Sequence, residues 1–231
     1  KFRRKSKKKS SGLESLVNRG LMEATKPIFE NINKLMAYYR CAIMEVETKL
    51  NVLNEQFSLQ YDRNPISSIQ TRLKRMDSIS EKLAKDDLPM TLQSMEENLN
   101  DIAGVRVICS FPEDVYMIAD ALLSQDDITL ISKKDYIREP KTNGYRSLHL
   151  IVTVPIFLAD EKRLMTGEIQ LRTIAMDSWA SLEHQLRYKK EFEFTDQMAD
   201  ELYRCAQISA ELDARMDNLR SIVHGNIKNK R

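Results

Sequence analysis

Two acidic residues stand where they could do chemistry together. Asp101 lies just before the apolar run Ile102–Cys109, and Glu168 follows Gly167 at the expected start of another strand. Carboxylates at the ends of neighbouring strands could hold one Mg²⁺, which takes hard oxygen ligands and keeps several waters. Alone the pair says little, because most strand-end Asp and Glu are solvated or accept local backbone bonds. The cations say more. Arg72, Lys74, Ser78 and Lys82 form R-x-K-x3-S-x3-K at the start of a helix, and Lys133, Lys134 and Lys141 flank a strand-to-loop segment. Arg106 lies inside the apolar run, where an unpaired charge costs several kcal/mol or more. It must meet a carboxylate, Asp101 or Glu168, or an anionic ligand. Guanidinium planes also stack on purines and fork onto phosphates.

The segment Lys141-Thr-Asn-Gly-Tyr-Arg-Ser-Leu-His149 adds the second half of a site. Asn143-Gly144 signals a turn, and Tyr145 emerges directly after it. A Tyr there, near Lys141, Asn143 and His149, is a candidate platform for a base. The alternative is a ring in the core with its hydroxyl satisfied. A lone His is more often structural than catalytic, yet His149 shares its segment with several phosphate-type donors.

These residues need elements to hold them. From about 21 to 61, Ile28, Ile32, Leu35, Met36, Tyr39, Ile43, Val46, Leu50, Leu53 and Phe57 recur at helical steps, with Pro27 in the first turn. Asp62-Arg63-Asn64-Pro65 breaks the pattern. Asp77 is expected to cap a short helix through Leu83, and Thr91 another through Leu99. Residues 102–109 read as a strand buried on both faces. A helix follows over 112–123, then strands over 128–137, 148–154 and around 168–171. Helices over 174–188 and 198–223 close the chain. The pattern predicts a mixed α/β (α+β) sheet flanked by long N- and C-terminal helices.

Composition bounds the possibilities. The chain has 231 residues, 42% hydrophobic and 30% charged, enough for a packed core and against disorder throughout. Six Gly and six Pro are too few for a turn-dense β-sandwich or an elastic linker. No apolar run spans a membrane, and the basic start is not followed by the apolar stretch of a secretory signal. Net charge is +2, but residues 1–9 hold seven Lys/Arg, and the remainder carries 29 basic against 34 acidic groups, a net −5. Residues 1–12 are therefore expected to be a basic, solvated, flexible tail, and a nucleic-acid-binding face is disfavoured. Cys41, Cys109 and Cys205 are odd in number and far apart, which argues against a disulfide framework or zinc site and fits a reducing cytoplasm.

Taken in order, Asp101-Ile-Ala-Gly-Val-Arg106, Asn143-Gly-Tyr-Arg-Ser-Leu-His149 and Glu168-Ile-Gln-Leu-Arg-Thr173 resemble the synthetase domain of RelA/SpoT-type alarmone synthetases. Ala175-Met-Asp-Ser-Trp-Ala-Ser-Leu-Glu-His184 is similar to the next helix of the small, single-domain members. The resemblance implies a nucleotidyltransferase-like core that moves a pyrophosphoryl group from ATP to the ribose 3′-oxygen of GDP or GTP, with Mg²⁺. It implies Asp101 as the principal Mg²⁺ ligand and Glu168 as the general base, sharing the metal. Arg72 and Arg106 would sandwich adenine; Lys74, Ser78, Lys82 and Lys134 would serve ATP. Tyr145 would stack on guanine, its hydroxyl mattering little, and Lys141, Asn143, His149 and Gln170 would place the acceptor.

No His-Asp dipeptide occurs, since the three His precede Leu150, Gln185 and Gly225, so the hydrolase site of the long members is not expected. The resemblance implies a synthetase-only domain over residues 13–231, cytoplasmic and homotetrameric, with the helices at 21–61 and 196–223 as interfaces or packed on their own sheet. The main alternative is a non-catalytic module binding single-stranded RNA. A further one is a transferase of the same fold acting on tRNA or protein.

Overall fold

The computed structural model describes residues 6–61, 63–188 and 194–228, and the side chains of 26–60, 63–187 and 194–223. Eleven elements follow one another: α1 (Ser6–Tyr61), β1 (Ile66–Leu73), α2 (Met76–Lys85), α3 (Leu92–Asn98), β2 (Ala103–Cys109), α4 (Pro112–Leu123), β3 (Thr129–Asp135), β4 (Leu148–Phe157), β5 (Lys162–Thr173), α5 (Ile174–Tyr188) and α6 (Asp196–Lys228). The strands form one mixed sheet in the order β1-β2-β5-β4-β3, with β2 and β5 parallel and the other pairs antiparallel.

α1 behaves as its periodicity predicts along its second half. Leu35, Met36, Tyr39, Ile43, Val46, Leu50, Leu53 and Phe57 are buried, and the helix packs on β1, β2, β4 and β5. That apolar stripe is therefore core. The helix begins at Ser6, so it takes in residues 6–12 of the expected tail and passes through Pro27 instead of starting there. Residues 1–5 of that tail lie outside the described residues. Pro27 removes one helical N–H, and the side chains around it, 26–31, are exposed, where water can satisfy the freed carbonyl.

The sheet has two unlike faces. Along β2 and β5, Val105, Val107, Ile169 and Leu171 are buried on the side covered by α1 and α4. Gly104, Arg106, Glu168 and Gln170 alternate with them and face a cavity. The expectation of a strand buried on both faces is thus corrected: β2 is half core and half site, as period-two alternation allows. Glu168 is likewise mid-strand in β5, seven residues into the segment. β1 was not apparent in the sequence. It is an edge strand exposed along most of its length, so it carries no burial-driven alternation.

Smaller differences have local causes. Asp77 lies inside the first turn of α2, accepting from the Ser78 amide, and Arg75 is the cap residue. Thr91 does cap α3, accepting from the Ser94 amide at 3.1 Å. Tyr136 and Ile137 fall beyond β3, where Asp135 accepts from the amides of Ile137 and Arg138 and turns the chain.

Candidate active site

The cavity encloses about 660 Å³ between the polar face of β1, β2 and β5 and the helix α5. Two clusters of side chains line it, one around Asp101 and one around Glu168.

In the first cluster Arg72 is the last but one residue of β1, opposite Gly104, and Lys74 extends the ladder by donating its amide to the Ile102 carbonyl at 2.9 Å. The Lys74 ammonium reaches Asp101 Oδ2 at 2.7 Å, and Lys82, on α2, reaches Oδ1 at 3.0 Å. Burial alone would raise the Asp101 carboxyl, but the two ammonium groups outweigh it and hold it below its ordinary range. Ser78 lies one turn before Lys82, beside Asp77. Arg106 pairs with Gln70 in the ladder, which sets it diagonally from Arg72. Diagonal neighbours on adjacent strands are about 7–8 Å apart.

Arg106 meets neither Asp101 nor Glu168. Its partner is Asp177, at 3.5 Å in the first turn of α5, and its Nε has no hydrogen-bond partner. Burial, and then the neighbouring Arg172, push its guanidinium below its ordinary value.

The second cluster begins at the Asn143-Gly144 turn. The Gly144 amide donates to the Lys141 carbonyl at 2.8 Å, and its φ of +87° suits glycine. A Cβ there would lie 2.5 Å from the Ala206 Cβ, so α6 presses directly on the turn. Tyr145 follows and packs against Trp179, Ala180 and Ala206 while lining the cavity. Asn143 Oδ1 accepts the Tyr145 amide at 3.1 Å, and the Lys141 ammonium lies 5.0 Å from the Tyr145 ring centre and 4.7 Å from that of Tyr136. Lys134 is exposed and sits opposite His149 in the β3–β4 ladder.

His149 Nδ1 lies 3.0 Å from Glu168 Oε1, and the Gln170 amide donates to Glu168 Oε2 at 2.9 Å. Burial pushes the Glu168 carboxyl up; the bonds from His149 and Gln170 outweigh it and set the group below its ordinary range. The Tyr145 hydroxyl is also engaged, 2.9 Å from His149 Nε2 and accepting from Arg172 at 2.6 Å. The hydroxyl, expected to matter little, thus has two polar partners.

The structure therefore brings Arg72, Lys74, Lys82, Asp101 and Arg106 to one side, and Tyr145, His149, Glu168 and Gln170 to the other. Asn143 and Lys141 support Tyr145. Ser78 and Lys134 stand at the margin. Arg172 and Asp177 were not singled out from the sequence. Arg172 follows Glu168 and Gln170 at steps of two on one strand face, and that alternation could have identified it.

Four cations, Arg72, Lys74, Arg106 and Arg172, line the cavity with three carboxylates, Asp101, Glu168 and Glu183, and Lys82 adds a fifth cation through Asp101 as Asp177 adds a carboxylate through Arg106 and Arg172. That excess favours polyphosphate. No group of three or more His, Cys, Asp and Glu that could hold a metal occurs among the described residues. Asp101 and Glu168 line one cavity, and the charge of the first acts on the second. Two ionised carboxylates are the protein share Mg²⁺ takes when substrate phosphates complete its shell, so the donor set fits that ion.

Comparison with known proteins agrees with this geometry. Residues 71–193 match the region found in RelA / SpoT proteins. The chain is 40% identical over 195 residues to GTP pyrophosphokinase YwaC of Bacillus subtilis (strain 168), covering 84% of this chain and 93% of that protein. It is 33% identical over 190 residues to GTP pyrophosphokinase YjbM of the same organism, covering 82% and 89%. Among solved structures, small alarmone synthetase 2 from Bacillus subtilis matches with a TM-score of 0.74 at 38% identity, covering 82% of this chain and 97% of that one. Small alarmone synthetase 1 from Bacillus subtilis, bound to its product pppGpp, matches with a TM-score of 0.75 at 33% identity, covering 83% and 97%. On its motifs, its mixed sheet and these matches, the chain belongs to the RelA/SpoT family.

Proposed function

We propose that this protein is an alarmone synthetase, transferring the pyrophosphoryl group of ATP to the ribose 3′-oxygen of GDP or GTP. The new bond joins the 3′-oxygen to the β-phosphorus, the α–β bridging bond breaks, and AMP leaves, giving ppGpp or pppGpp. The observation that carries this reading is the placing of two ionised carboxylates, Asp101 and Glu168, between a cationic wall and a half-buried tyrosine in one cavity. The relatives' names, and the pppGpp on one solved neighbour, support it.

Phosphoryl-type transfer demands positioning and charge neutralisation more than covalent chemistry. Arg72 and Arg106 hold adenine between their planes, and Lys74, Ser78 and Lys82 take the triphosphate, with Lys134 as a further cation near it. Tyr145 stacks on guanine, while Lys141, Asn143, His149 and Gln170 orient the acceptor. Glu168 accepts the 3′-hydroxyl proton. Asp101, with Glu168, would hold Mg²⁺, which when bound neutralises phosphate charge.

We infer a homotetramer as well. Along α6, Ile208, Leu212, Met216, Leu219, Ile222 and Val223 are exposed at three- and four-residue steps, an apolar stripe that a second copy could cover. The three cysteines are free, which fits a reducing cytoplasm. Among the described residues no helix is long and apolar enough to cross a membrane. The RNA-binding alternative gains nothing from a cavity whose focus is two carboxylates.

The test is incubation with ATP, GDP and Mg²⁺, followed by chromatography. A new guanosine nucleotide, formed with AMP and lost on chelation, is expected. Its absence, or AMP appearing on a macromolecule instead, overturns the reading.

A further inference from the structure

Five side chains close a ring of hydrogen bonds around Glu168. Arg172 Nη2 donates to Gln170 Oε1 at 3.1 Å, and Gln170 Nε2 donates to Glu168 Oε2 at 2.9 Å. On the other arm the same Arg172 nitrogen donates to the Tyr145 hydroxyl at 2.6 Å. That hydroxyl lies 2.9 Å from His149 Nε2, and His149 Nδ1 lies 3.0 Å from Glu168 Oε1. One pole is a guanidinium, which only donates; the other is an ionised carboxylate, which only accepts. With a neutral imidazole at His149, the poles fix every proton between them. Tyr145 accepts from Arg172 and so gives its own proton to His149 Nε2. His149 then carries its proton on Nδ1 and gives it to Glu168. The Gln170 amide has one orientation, since the flipped one would set its N–H groups against Arg172 and its oxygen against the carboxylate. Asp177 anchors the donor pole, accepting from Arg172 Nη1 at 3.1 Å.

From this ring we infer that Arg172 and the Tyr145 hydroxyl are positioning residues for the proposed base, acting on both Glu168 oxygens through Gln170 and His149. The inference rests on the reading of Glu168 as the base. Each carboxylate oxygen spends one lone pair on the ring and keeps another for a metal ion or for the 3′-hydroxyl. The ring does not conduct the proton away. His149 Nδ1 is already protonated, so a proton taken by Glu168 has no acceptor along this path and stays on the carboxyl until product leaves. Its function is to hold the carboxylate plane still, and misplacement of a reacting group by about 1 Å costs on the order of 10²-fold.

Three variants test this. Tyr145→Phe keeps the ring face and opens one arm; kcat should fall about tenfold, the effect of one lost hydrogen bond, with the KM for the guanosine nucleotide within about twofold of the parent. Arg172→Lys keeps the charge but cannot serve both arms with one planar fork, so kcat should fall by about 10², the scale of a misplaced reacting group. The double variant should be no slower than Arg172→Lys, because both changes open the same ring. Nitrogen NMR of His149 should show the Nδ1–H tautomer in the parent and a mixture in Tyr145→Phe. The inference is overturned if Tyr145→Phe leaves kcat unchanged, if the two losses multiply, or if His149 carries its proton on Nε2 in the parent. Glu168→Gln separates the levels. If it abolishes turnover while Tyr145→Phe keeps the parental kcat, the ring's role falls and the base stands. If it turns over at the parental rate, both fall.

Discussion

The two walls of the cavity are built differently. Around Asp101 the side chains are long cations on an edge strand and a short helix, and Arg72 is exposed. Around Glu168 the groups are buried or half-buried and joined to one another, on two central strands and the loop before β4, backed by α5. A flexible polyphosphate needs charge that can follow it, and lysines on rotatable stems supply that at little geometric cost. Proton abstraction from one hydroxyl needs a fixed carboxylate, and only a braced group supplies that. On the proposed function, the walls differ because one handles charge and the other geometry.

The sharpest break between them comes from the carboxylates. Glu168→Gln should lower kcat by about 10² or more, in the range for loss of a general base, while ATP binding measured by calorimetry survives. Asp101→Asn should remove Mg²⁺-dependent turnover by a similar or larger factor, because an amide cannot hold the ion as a carboxylate does. Equal loss of ATP binding in both variants would merge the two roles.

Next in size is Tyr145→Ala. Base–aromatic stacking is worth about 1–3 kcal/mol, so the KM for the guanosine nucleotide should rise by roughly one to two powers of ten, with ATP affinity unchanged. Because the ring leans on Trp179, Ala180 and Ala206, some stability is lost too, though less than the ~3–5 kcal/mol of a fully buried aromatic. A large drop in melting temperature with an unchanged guanosine KM would make Tyr145 a packing residue.

On the other wall, Arg72→Ala should raise the ATP KM by about tenfold, as expected for losing one stacked guanidinium, and leave the guanosine KM alone. A loss shared by both nucleotides would erase the division.

The smallest effect is on stability against pH. Asp101 and Glu168 are held below their ordinary values of 3.8 and 4.5. Each therefore stabilises the fold above that value, and the contribution fades as pH falls through the lower folded one. Asp213, buried on α6 with Arg146 and Thr173, is raised by burial and has the opposite sign: what it contributes is present at low pH and lost as pH rises through its folded value. Acid melting curves of Asp101→Asn should be flatter below about pH 4 than those of the parent, and those of Asp213→Asn should not be.

Much of this was legible in the residues, and unevenly. α4 and α5 match their expected bounds, 112–123 and 174–188, because a proline at the first turn of one and a strong apolar period in the other mark them. β1 was not legible, since an exposed edge strand has no core to impose a pattern, and Arg72 therefore read as part of a helix start. The family motifs located Asp101, Tyr145, His149 and Glu168, with Lys74, Lys82 and Gln170 among their partners, but singled out neither Arg172 nor Asp177. That Arg106 pairs with Asp177 depends on α5 folding back over the strand ends, a tertiary fact with no local signature. The apolar stripe of α6 was seen as a helix, and only its exposure distinguishes it from the buried stripe of α1.

One measurement bears most directly on the whole account: a single turnover with ATP labelled in its β-phosphate, GDP and Mg²⁺. Transfer at the β-phosphorus predicts that all consumed label appears in guanosine tetraphosphate, with one unlabelled AMP released for each. Label recovered as ADP, as free pyrophosphate or on a macromolecule, with no labelled guanosine product, would contradict it.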